Sequence, residues 1–167
     1  MDVHFVTMIE YAKDLPVKVA FPPQGRIRNT LGEVISDHGL RQLKVTESEK
    51  EIHLDYFLNG KREEPFPGED HRIVPSPEVA DYTKTPEMSA AGVARAAIEA
   101  LEEPTYDLIA VNFVNVDVVG HIEDHDAVLR AVEAVDRRVG EVVRAAQAHG
   151  VTPIVTADDG PVESGLY

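Results

Sequence analysis

The chain has 167 residues, 43% hydrophobic and 28% charged, enough for one ordinary domain with a continuous core and too few for two comfortable ones. Sixteen basic residues face thirty acidic ones, a formal charge of -14, and no stretch gathers Lys and Arg into a stripe that could track a phosphate backbone, which argues against nucleic acid as a partner. Cysteine is absent, which excludes disulfides, thiolate metal sites and a cysteine nucleophile. No apolar run approaches the roughly 20 residues of a membrane span. "MDVHFV" is not a basic segment leading into a signal core, so the expectation is a cytoplasmic protein with no membrane partner.

In chain order, "VHFVTMIEY" reads as a buried strand, and the part up to about Asp81 is loop-rich and holds most of the prolines. "NTLGEVISDHG" reads as a short helix opened by Asn29 or Thr30 and closed by Gly39. "LRQLKVT" is the next strand, and "ESEKEIHLDYFLNG" a helix ending at Asn59 and Gly60. Ser89 caps "AAGVARAAIEALEE", and "YDLIAVNFV" is a continuous apolar strand. From about Asp126 to His149, residues Val128, Val132, Val135, Val139, Val142 and Ala146 recur at steps of four and three, one face of a long helix. Gly150 ends it and "VTPIVT" is expected as the following strand. Strand, long helix, strand implies a right-handed crossover and a parallel sheet, hence an α/β fold in one domain spanning 1–167.

In open parallel sheets ligands bind beyond the carboxyl ends of the strands. Two acidic clusters fall there: Asp117 and His121 in "NVDVVGH", and Asp158 and Asp159 in "ADDG". If the two strands are neighbours, three carboxylates and an imidazole converge, a mixed oxygen and nitrogen set suited to Mn or Zn, or to Mg where oxygens dominate. The alternative is that Asp117 caps a turn, His121 packs on a helix start, and Asp158 and Asp159 form a turn before Gly160. "SDHG" at Ser36 to Gly39 is read as a helix end with Gly39 as its left-handed cap. Asp124 and Asp126 suit a helix first turn, while His125, one position past a full turn from His121, is a further candidate ligand. Arg72 in "GEDHR" could orient a phosphate, or the segment could be a turn closing a hairpin. Lys50 alone reads as a helix lysine balancing Glu47, Glu49 and Glu51.

Taken together, "NFVNVDVVGH", "AVEAVDRRVGEVV" and "PIVTADDG" resemble the metal-bearing segment of cofactor-independent phosphoglycerate mutases, members of the alkaline phosphatase superfamily, whose pattern runs NxxNxDMVGH, AVEAVD and TADHGN. "NTLGEVISDHGLRQLKVTESEK", "GKREEPFPGEDHR", "SPEVADY" and "PEMSA" resemble further blocks in the same order. The resemblance implies an alkaline phosphatase-like, parallel-rich sheet flanked by helices, truncated relative to the family. It implies that Asp117 and His121 ligate one Mn ion, that Asp158 ligates a second, and that Lys50 lies beside the transferred phosphoryl group, where a fixed positive charge stabilises developing negative charge. Asp159 stands where the family carries a histidine ligand, and Pro161 where it carries Asn. The resemblance covers neither the family's nucleophile strand with its phosphorylated serine nor its inserted substrate domain. Mutase activity by this chain alone is therefore not expected. The expectations are a repurposed one-metal enzyme on a small anionic substrate, or a non-catalytic module, in either case as a homo-oligomer or with a completing protein partner that covers apolar surface.

Overall fold

The computed structural model describes residues 3–23, 25–122 and 124–157. Near the start, β1 (Val6–Thr7) and β2 (Lys18–Val19) pair with each other in parallel. The expected buried strand "VHFVTMIEY" is thus cut to two residues, and Val3, Phe5, Val6, Met8 and Ile9 are exposed. Its apolar residues find no layer to pack against among the described residues, and a two-stranded ribbon without such a layer is short.

α1 (Leu31–Asp37) begins at Thr30, whose Oγ1 accepts the backbone N–H of Glu33 at 3.3 Å. Thr30, not Asn29, is the cap. The helix ends at Gly39 with φ +69°, and His38 Nδ1 lies 2.7 Å from the Val34 carbonyl, so "SDHG" closes a helix.

β3 (Gln42–Glu47), β4 (Glu69–Val74) and β5 (Leu108–Val111) form a parallel sheet in the order β4-β3-β5. Val45 stands opposite Arg72 on one side and Val111 on the other. Every residue of β3 is buried, as a middle strand covered on both faces requires. Alternation along it puts Leu43 and Val45 in a cluster with Val93 and Ala100 of α2 (Ala90–Glu102). On the alternate positions, Lys44 Nζ sits 2.9 Å from Glu69 Oε1 and 2.5 Å from Asn59 Oδ1. Asn59 Nδ2 donates to Glu69 Oε1 at 2.7 Å, and Gln42 Nε2 donates to the Gly32 carbonyl at 2.8 Å. Buried charges persist only when paired and hydrogen-bonded. This network therefore ties α1 and the Asn59 loop to the sheet.

After β3 the expected helix forms over 48–57 with irregular winding: a 3-10 turn, Ser48–Lys50, two α-helical residues, and a wide π turn, His53–Phe57. Only Leu54 of the π turn is buried, so no apolar stripe holds the segment to regular α-helical winding. Gly60 does end the segment, with φ +67°. Gly68, with φ +79°, leads into β4, which runs parallel to β3. The "GEDHR" turn therefore closes no hairpin. The crossover from β4 through α2 lands β5 on the far side of β3, parallel to it, as the connection over 48–68 lays β4 parallel to β3 on the near side.

α3 (Asn115–Gly120) follows β5 directly, and α4 (His125–Ala148) starts at Asp124, whose Oδ1 accepts the Ala127 N–H at 3.0 Å. The valine stripe is only partly buried, with Val132 40% exposed, and the helix is buried chiefly through Ala127, Ala131 and Ala146. The small alanines let α3 close on it, with Val119, Ala127 and Ala131 in one cluster. The expected last strand "VTPIVT" does not form: 151–157 joins no ladder, and Ile154 is 87% exposed. A strand requires a neighbour to take its N–H and carbonyl groups, and the described residues supply none. No helix among the described residues is long and apolar enough to cross a membrane.

Candidate metal centre

β3 and β5 are neighbours, so the segments leaving their carboxyl ends share one end of the sheet. The 3-10 turn after β3 carries Lys50, and α3 after β5 carries Asp117 and His121. Lys50 Nζ pairs with Asp117 Oδ2, while His121 Nε2 lies 3.2 Å from Asp117 Oδ1. The i, i+4 spacing on one helical turn brings the imidazole over the carboxylate. Lys50 thus reaches across to α3, beyond the end of β5, and does not act as a surface lysine balancing its neighbouring glutamates.

Burial works to raise the Asp117 pKa, but the Lys50 hydrogen bond and charge, followed by His121, outweigh it and leave the carboxyl below its usual range. Asp117 is therefore held as a carboxylate with one oxygen toward a cation and the other toward an imidazole. That donor set fits a divalent ion as two of its ligands. Among the described residues no group of three or more His, Asp or Glu side chains forms a complete set of ligands. Asp158 and Asp159 lie outside the described residues.

The remaining sequence candidates fall elsewhere. Arg72, on β4, donates to the Ala96 carbonyl at 3.2 Å and to Glu103 Oε1 at 3.1 Å. Its guanidinium is engaged by the carboxyl-terminal half of α2 and is not brought to Lys50 or Asp117. His125 opens α4 after its cap.

Sequence reading missed the groups that frame Lys50. Glu47, one of the three glutamates that the sequence sets beside Lys50, is fully buried. Ser76 Oγ donates to its Oε2 at 3.0 Å and the Ser89 N–H to its Oε1 at 2.9 Å. Burial raises the Glu47 pKa, opposed by these hydrogen bonds. No local signal marked it: Glu47 is the last residue of β3, and its burial follows from that strand's middle place in the sheet. Tyr82, also missed, donates its hydroxyl to Glu49 Oε2 at 3.0 Å.

Known proteins show the same architecture. The Metalloenzyme superfamily profile matches residues 7–165. The chain is 48% identical over 159 residues to the 2,3-bisphosphoglycerate-independent phosphoglycerate mutase of Synechococcus elongatus, covering 95% of this chain and 30% of that protein. It is 49% identical over 162 residues to the enzyme of the same name from Chloroflexus aurantiacus, covering 97% and 30%. A crystal structure of Leishmania mexicana phosphoglycerate mutase at low cobalt concentration superposes with a TM-score of 0.75 at 32% identity, over 86% of this chain and 27% of that one. The chain thus spans about 30% of the length of the curated relatives it matches.

Proposed function

The chain belongs to the Metalloenzyme superfamily, and from that premise we propose that it is a phosphoglycerate mutase-like domain holding one divalent ion, Mn first among the choices, at Asp117 and His121, with Lys50 beside it. The observation that carries this reading is the Lys50–Asp117–His121 constellation, assembled from two neighbouring strand ends. Asp158 and Asp159 are proposed as further ligands, on the sequence pattern alone. The substrate class is a small anion carrying phosphate or carboxylate. Lys50 attracts it and stabilises negative charge that grows on it, and partial burial strengthens that effect by thinning the surrounding water. His121, largely exposed at 66%, is placed to bind or to pass a proton at Nε2. When bound, a divalent ion would polarise an oxygen of the substrate. Arg72 is committed to α2 and is proposed only as a peripheral anion contact.

The test is Mn2+ titration followed by electron paramagnetic resonance. The wild-type chain is expected to bind stoichiometrically, and Asp117→Ala to lose at least tenfold in affinity, in line with loss of one of few ligands. Wild-type protein that takes up no Mn2+ in this titration, and no Zn2+ or Mg2+ by isothermal titration calorimetry, would end the proposal.

A second reading is favoured by a separate observation. Phe5 and Met8 are each 64% exposed, and Ile154 and Val155 87% and 66%. Large apolar side chains so exposed in two segments fit a module completed by association, with a second copy or another protein.

A further inference from the structure

We infer that Glu47 and Ser76 are positioning residues whose role is to hold Lys50 against Asp117. The inference rests on reading Lys50 as the fixed cation of the site, and it concerns what fixes it.

A lysine ammonium rides on a flexible four-carbon stem and keeps one place only if the backbone beneath it is held. The backbone beneath Lys50 is held by one residue of a different segment. Ser76, in the connection from β4 to α2, donates its N–H to Ser48 Oγ at 3.0 Å and accepts the Glu49 N–H on Oγ at 3.2 Å. The same Oγ donates to Glu47 Oε2 at 3.0 Å. Glu47, Ser48 and Glu49, the three residues leading to Lys50, are thus each tied to Ser76. Glu47 in turn receives the Ser89 N–H at the start of α2, so the brace is anchored to the helix that packs on the sheet.

The far side of the pair is joined to the same brace. The Tyr82 hydroxyl bonds Glu49 Oε2 at 3.0 Å, and the Tyr82 ring packs with the Val119, Ala127 and Ala131 cluster, which includes α3, the helix of Asp117. Lys50 and Asp117 are therefore positioned by groups that meet around residues 76 and 82. A fully buried carboxylate is a costly choice at a core position where an apolar residue would serve packing alone. Its placement is explained if the strand end must be fixed in direction as well as covered.

The experiment is trace acetylation of the intact protein with acetic anhydride, read lysine by lysine by mass spectrometry in the wild type, Ser76→Ala, Glu47→Gln and Asp117→Asn. Ser76→Ala removes both bonds made through Oγ. Glu47→Gln keeps shape and the Ser89 contact but turns the Ser76 hydroxyl around. Lys84, 80% exposed, is the internal standard, and Lys44, 3% exposed, reports whether the core is intact. Lys50 is expected to react about fivefold faster relative to Lys84 in both positioning variants, the order of factor by which one ion pair suppresses a free amine, with Lys44 still protected. Unchanged Lys50 reactivity in both variants overturns the inference, and so does parallel exposure of Lys44, which would mean general loosening. Asp117→Asn separates the two levels. If it leaves Lys50 at its wild-type rate, the ion pair and the site reading fail. If it frees Lys50 while the other two variants do not, only the positioning role fails.

Discussion

Glu69 is the residue on which the buried face of the sheet depends. Burial alone would raise its pKa, but hydrogen bonds from His71, Asn59 and Lys44, with the Lys44 charge, bring it from 4.5 to about 2. Its folded pKa lies below its unfolded one, so its contribution to stability is complete above about pH 4.5 and is lost as pH falls toward about 2. Urea midpoints of the wild type are expected to fall through that window, and Glu69→Gln to flatten the dependence. At pH 7 the same substitution leaves the Lys44 ammonium buried without its counter-charge, and a loss of about 3–5 kcal/mol is expected from denaturant unfolding. A loss below about 1 kcal/mol would show that solvent reaches Lys44 after all. None of this was visible in "QLKVT" or "GEDHR", because a lysine and a glutamate 25 positions apart carry no local mark of meeting diagonally across neighbouring strands, where Lys44 stands opposite His71 and Glu69 opposite Gln42.

The elements themselves are decided by what flanks them. The segment from Ser48 to Gly60 shows this best: read from the sequence as one helix, it is helical over 48–57 but winds from a 3-10 turn through two α residues into a π turn. Gly60 then reverses the chain with φ +67°, and a Cβ there would stand 2.5 Å from the Ile27 carbonyl oxygen. Gly60→Ala is expected to cost about 2 kcal/mol or more, since it meets both left-handed strain and a backbone clash. The thermal midpoint measures it, and Gly39→Ala, with similar φ but open space around its Cβ, should cost less. In α4 the four-and-three spacing correctly marked a long helix. It could not say that Ala127 and Ala131 would carry the deepest contacts, because depth depends on how closely α3 approaches.

At the scale of the molecule, the sheet of β4, β3 and β5 brings the Lys50 turn and α3 together, while 3–9 and 151–157 present apolar side chains outward. Light scattering after size exclusion is expected to give at least twice the monomer mass. Ile154→Asp with Val155→Asp should return a monomer whose helical circular dichroism is unchanged, since neither residue packs on the core. A wild-type monomer at micromolar concentration would remove the reading in which these segments are covered by a second copy. By itself the sequence determined the α/β class, the helix end at Gly39, the choice of Asn29 or Thr30 and of Asp124 or Asp126 at two helix starts, and the candidacy of Lys50, Asp117 and His121, because caps, periodicity and motif blocks are short-range patterns written along the chain. The tertiary structure alone decided that β5 lies beside β3, so that Lys50 meets Asp117, that Arg72 is taken by Glu103, and that Glu47 is buried. Those outcomes depend on strand order and on which face each neighbour covers, quantities set by the packing of distant segments and by no local stretch of residues.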